Sequence, residues 1–113
     1  MPRDDRGSAT VWAAGAIAAL LLIAGVAFAL GSVVVIRHRA ADAADLAALA
    51  AAGSADRGAE AACARAAVVV ERMAVRLVSC RLDGWDALVE VAAPVPGGLG
   101  DASARARAGP VTG

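Results

Sequence analysis

A chain of 113 residues with eleven basic and eleven acidic side chains carries no formal net charge, and 59% of it is hydrophobic. That balance excludes the basic stripe of a nucleic-acid binder, and the length allows one small domain beyond any membrane segment. All eleven basic residues are Arg, and alanine fills 33 positions, a composition that favours helix but makes thin cores.

The first seven residues, MPRDDRG, are short and polar. From Ser8 to Ile36 the chain runs 29 residues without a charge. About 20 apolar residues in a helix cross the hydrocarbon core of a bilayer, so this run predicts a transmembrane helix with residues to spare. It also far exceeds the apolar stretch of a cleaved secretory signal. Only 77 residues follow it, too few to bury a helix that is apolar on every face. Trp12, near its start, suits the headgroup level. Gly15, Gly25 and Gly31 lie among its alanines. They read either as a face for close packing with partner helices or as the ordinary small-residue content of an Ala-rich chain.

Arg3 and Arg6 flank one end of the run, and Arg37 and Arg39 the other, so the positive-inside rule does not set the orientation. Two other features place the N-terminus in the cytoplasm. A seven-residue head is easily left behind, and the cysteines suit an oxidising compartment on the far side.

RHRAADAADLAALAAA, from Arg37 to Ala52, contains no Gly or Pro and no stop after Ile36. The expectation is one helix from about Ser8 to Ala52, ended by Gly53-Ser54 with the glycine in the left-handed cap position. Leu46, Leu49, Ala50 and Gly53 mark its expected packing side, with Asp42 and Asp45 on another. A second helix is expected from Ala55 or Asp56 to Met73, capped by Ser54 or Asp56, with Gly58 weakening its first turn. Its apolar stripe is Ala59, Cys63, Ala66, Ala67 and Val70.

VRLVSCRL and WDALVEVA are separated only by Asp83-Gly84, a strong hairpin signature. The implied register sets Leu82 opposite Trp85, Arg81 opposite Asp86, Cys80 opposite Ala87 and Val78 opposite Val89. Val78, Cys80, Leu82, Trp85, Ala87, Val89 and Val91 then share the apolar face, with Trp85 in the core. Leu77, Ser79, Arg81, Asp86, Leu88 and Glu90 share the other. Pro94 to Gly100 reads as a loop. In DASARARAG, Ser103, Arg105 and Arg107 alternate with alanines, which fits an edge strand pairing with the second strand and setting its arginines near Asp86 and Glu90. The closing Gly-Pro-Val-Thr-Gly reads as loose.

Cys63 and Cys80 fall on apolar faces that meet where helix packs on sheet. Two readings stand: a disulfide closing a short loop, or two buried thiols. No catalytic constellation is present. His38 stands alone between two arginines, one histidine and two cysteines do not make a zinc site, and Gly97-Gly98-Leu99-Gly100 lacks the strand–helix setting of a phosphate loop. The chain is therefore read as no enzyme, with no cofactor, metal or small-molecule substrate.

Two stretches resemble the TadE-like pilus-assembly proteins: Arg6-Gly7-Ser8-Ala9-Thr10-Val11 before the apolar run, and Ala41-Asp42-Ala43-Ala44-Asp45-Leu46-Ala47-Ala48-Leu49-Ala50 after it. Val78-Ser79-Cys80-Arg81 and the closing Ala-Arg-Ala-Gly-Pro-Val extend the likeness, which is nearly full length, to a short actinobacterial secretion-neighbourhood subgroup. The elements above make the fold α+β and the apolar run makes lipid a partner; the resemblance implies a minor, pilin-like subunit of a tight-adherence pilus or secretion apparatus, with other pilus or secretion subunits as partners. It implies a prepilin-type peptidase cutting between Gly7 and Ser8. Pilin-like members usually carry Glu five residues after the cut, where this chain has Trp12. The alternative is an uncleaved single-pass accessory protein that binds a partner at the envelope. The resulting division is a cytoplasmic leader over 1–7, a transmembrane helix over 8–36, a helix extension over 37–54 and a small extracytoplasmic head of two to three strands and a helix over 55–113.

Overall fold

The computed structural model describes residues 2–98 and 100–110, with side chains from Gly7 onward. Val111, Thr112 and Gly113, in the segment expected to be loose, lie outside them. In chain order the elements are helix α1 (Pro2–Ala52), a 3-10 turn (Ala55–Arg57), helix α2 (Ala59–Arg72) and strands β1 (Arg76–Asp83), β2 (Asp86–Pro94) and β3 (Asp101–Ala108). The fold is α+β, with a long N-terminal apolar helix, a second helix and a three-stranded antiparallel sheet ordered β1-β2-β3. The chain divides into two compact units, Met1–Gly31 and Ser32–Gly113.

The first unit is the beginning of α1. The helix starts at Pro2, earlier than Ser8; a proline fits a first helical position because no N–H is needed there. Every side chain from Gly7 to Gly31 is exposed, so the apolar run up to Gly31 has no protein cover and its backbone pairing is internal. That is the arrangement hydrocarbon requires.

In the second unit the core is built mainly from alanine. Ala40, Ala43, Ala44, Ala47, Ala48 and Ala51 of α1 are fully buried, at the 3–4 spacing of one helix face. They cluster with Ala62, Ala66 and Val70 of α2 and with Ala87, Val89, Val91 and Ala93 of β2. This corrects the expected packing side of α1. Leu46 and Leu49 are 49% and 61% exposed, on the opposite face of the helix. Methyl side chains let the α1 backbone approach its neighbours closely, and a leucine row would hold it off.

The chain turns after Ala52, but Gly53 does not take the left-handed conformation; its N–H donates to the Leu49 carbonyl at 3.0 Å, continuing the helical pattern. The second helix is shorter than expected. Gly58, at φ 98°, separates the 3-10 turn from α2 rather than weakening a first turn, and neither helical segment has a side-chain cap bond at its start. The buried stripe of α2 is Ala62, Ala66 and Val70; Ala59 and Ala67 are exposed and Cys63 is half-buried. Its C-terminus is a Schellman arrangement. The Val75 N–H donates to the Val70 carbonyl at 3.2 Å and the Ala74 N–H to that of Glu71 at 3.1 Å, with Ala74 at φ 58°.

The hairpin forms with its turn one residue further along the chain and its strand pairing moved by two. Asp83 lies opposite Asp86, and Gly84-Trp85 are the two loop residues. Gly84 takes φ 64° and Trp85 stays at negative φ, the glycine-first pattern of a type II′ turn. Cys80 therefore pairs with Val89 and Arg81 with Leu88, correcting the Arg81–Asp86 and Cys80–Ala87 pairs. Trp85 sits at the tip, 62% exposed, and not in the core. A bulge at Val78 turns Leu77 toward the core opposite Val91 and leaves Val78 outside. The third strand follows expectation: Glu90 lies opposite Arg105 and Val91 opposite Ala104. The β2–β3 loop closes with a Val95 N–H bond to the Gly100 carbonyl at 2.9 Å.

Candidate assembly surfaces

Cys63 of α2 and Cys80 of β1 are joined in a disulfide, with Cα atoms 5.8 Å apart. The strand pairs put Cys80 on the inner sheet face beside Val89, and half-burial of Cys63 puts its sulfur at the edge of the same core. Of the two readings of the cysteines, the structure takes the cross-link, and no free thiol is left.

The outer sheet face carries charge in ordered rows. Arg81, Leu88 and Arg107 lie side by side across the three strands, and Ser79, Glu90 and Arg105 form the next row. Arg107 Nε donates to an Asp86 carboxylate oxygen at 2.9 Å, and Asp83 lies 3.8 Å from Arg107 Nη2. The hydrogen bond to Asp86, and then its charge, hold the Arg107 guanidinium above its usual pKa. Arg105 pairs with Glu90 at 3.4 Å and Arg76 with Asp101 at 3.1 Å. Arg81 has no carboxylate partner among the described residues. An open groove of about 450 Å³ runs between Arg81, Leu88, Glu90, Arg105 and Arg107.

The outward side of α1 is different in kind. Asp42, Asp45, Leu46 and Leu49 share one face, all four exposed, and neither aspartate has an ion pair among the described residues. Sequence reasoning placed the leucines inward and so missed this surface. The uninterrupted alanine spacing from Ala40 to Ala51 was the signal that competed with it. Gly7 and Ser8 lie within α1, both exposed, and a Cβ placed on Gly7 would meet nothing within 4 Å. Among the described residues no cluster of His, Cys, Asp or Glu is built to hold a metal.

A family model described as "Putative Flp pilus-assembly TadE/G-like" matches residues 7–72, more than half of the chain. The chain belongs to the TadE/G-like family. Its role is accordingly in the assembly of the Flp, or tight-adherence, pilus, among other pilus subunits. With a family of pilus components and a helix long and apolar enough to cross a bilayer, this TadE/G-like chain is a membrane protein. The TadE/G-like match takes in the apolar run, α1 from Gly7 onward, all of α2 and Cys63, and it ends at Arg72, the last residue of α2. Cys80 and the whole sheet lie beyond it. No curated protein and no solved structure matches the chain.

Proposed function

We propose that this chain is a non-enzymatic, pilin-like membrane subunit of a tight-adherence pilus or secretion apparatus, working by helix packing and assembly. The observation that carries the reading is the two-part character of α1. Residues 8–31 of that helix are apolar and uncovered, while its later alanine face is the core of a disulfide-linked α+β unit. A helix that is naked in one part and packed along one face in another supports an anchor for a small domain. The arrangement has the N-terminus in the cytoplasm and residues 55–113 outside, where a disulfide persists.

In the same reading residues 1–7 are a leader, and a prepilin-type peptidase cuts between Gly7 and Ser8, leaving an apolar helix as the new N-terminus. The match to the family beginning at Gly7 and the exposure of both residues support this. The second reading, an uncleaved accessory protein, is favoured by Trp12, which stands where the resemblance leads one to expect Glu. Intact mass of the membrane-extracted protein separates them. Loss of residues 1–7, blocked by Gly7→Phe, is the expected result; a full-length chain in the wild type makes it a permanent anchor. Alkylation under denaturing, non-reducing conditions is expected to find no free thiol in the exported protein, and two labelled cysteines would place residues 55–113 on the reducing side.

A further inference from the structure

The Ser32–Gly113 unit leaves two surfaces unsatisfied in complementary ways. On α1, Asp42 and Leu46 are one helical turn apart, and Asp45 and Leu49 repeat the pair, so an acid and an apolar side chain stand about 5–6 Å apart twice on one face. On the outer sheet face, Arg81 and Leu88 stand directly opposite each other on neighbouring strands, at about the same spacing. Both aspartates lack an ion pair among the described residues, and so does Arg81, although the other arginines of that sheet face each have a carboxylate. Leu46 and Leu49 are half-exposed or more. The groove that holds Arg81 and Leu88 has the open volume to receive side chains from a helix.

We propose that the Asp42–Asp45–Leu46–Leu49 face of α1 docks into the Arg81–Leu88 groove of a second copy of this chain. The inference rests on the assembly reading above and names the surfaces that reading would use. In the docked state an aspartate takes the open guanidinium fork of Arg81 and a leucine covers Leu88. The two surfaces cannot meet within one chain. The alanine face of α1 is buried with the inner sheet face, so the acidic stripe and the outer sheet face point in opposite directions. The contact is therefore heterologous, using different patches on the two copies, and it repeats from copy to copy as an open row instead of closing as a pair. A lone exposed ion pair is weak in solution. Copies held in one membrane meet at a high effective concentration, and the contact is suited to that setting.

The test is site-specific photocrosslinking of the full chain in its membrane, with benzoylphenylalanine replacing Ser79, an exposed residue at the groove. The expected result is a ladder of dimers and higher adducts whose crosslinked tryptic peptide is residues 40–57 of a second copy. Arg81→Glu, and separately Asp42→Arg with Asp45→Arg, are each expected to cut the adduct at least fivefold. The two sets combined, whose α1 segment trypsin cuts further at positions 42 and 45, are expected to restore at least half of it within residues 40–57, a recovery that misfolding cannot produce. Adducts to another protein, adducts mapping to other peptides of this chain, no adduct, or failure of the combination to restore the yield each overturn the contact. All four leave the assembly reading standing, because the intact mass of the membrane-extracted protein tests that reading separately.

Discussion

Ala74 is the one described residue other than glycine with positive φ, 58°, and it holds the cap that ends α2. Left-handed backbone costs an L-residue with a Cβ about 1–2 kcal/mol, and glycine loses part of that gain through its freer unfolded chain. Ala74→Gly is therefore expected to stabilise the protein by about 0.5–1 kcal/mol, and Ala74→Val to destabilise it, both read from urea midpoints in detergent. Gly109 poses the opposite problem. A Cβ there would fall on the Asp86 carboxylate, the group that holds Arg107. Gly109→Ala is expected to disturb that pair and lower the urea midpoint, while Gly109→Ala with Asp86→Ala removes the collision and costs less than the two changes summed. At this scale the sequence was only partly legible. Asp83-Gly84 marks the turn, but the choice of Gly84-Trp85 as loop residues depends on which residue takes the left-handed angle. Because the two registers differ by an even step, Cys80, Leu82, Ala87 and Val89 keep the same face in both, and only Trp85 and the residues near the bulge change surroundings.

At the scale of elements, the helices, the hairpin and the third strand follow from spacing and turn chemistry, and the arginines of β3 meet Asp86 and Glu90 as their alternation requires. What spacing could not show is which face of α1 packs. In a helix of mixed composition the large apolar residues mark the core, but here six alanines at matching spacing compete with two leucines. The small residues win because they give more backbone contact per residue, and only the partner's shape reveals it. The consequence inverts the usual expectation. Ala47→Leu, which adds apolar bulk, is expected to destabilise by about 1–3 kcal/mol through overpacking. Leu46→Ala, which removes it, is expected to cost under about 1 kcal/mol because the side chain is half in solvent. Denaturant unfolding of both variants checks the pair, and a larger loss at Leu46 would return the leucines to the core.

For the whole molecule, the chief consequence of an alanine core is how little bulk it buries. Val70 and Val91 are the largest fully buried side chains among the described residues. A core of this kind leaves a small unit near the margin of stability, and a covalent link then matters more than it would in a larger domain. The Cys63–Cys80 bond spans a sequence separation of 17 and ties the helix that ends the family match to the first strand beyond it. Closing a loop of that size restricts the unfolded chain by about 3 kcal/mol, which for a unit of this size corresponds to a Tm change of roughly 12–24 °C. Reduction with a phosphine, or Cys63→Ala with Cys80→Ala, is expected to lower the melting temperature of the detergent-solubilised chain by that amount. The far-ultraviolet helical signal before the transition is expected to stay, because α1 keeps its own backbone bonds whether or not the sheet is docked. A shift of only a few degrees would mean that close alanine packing alone holds the sheet against the helices, and the cross-link would then be a lock on an already stable unit.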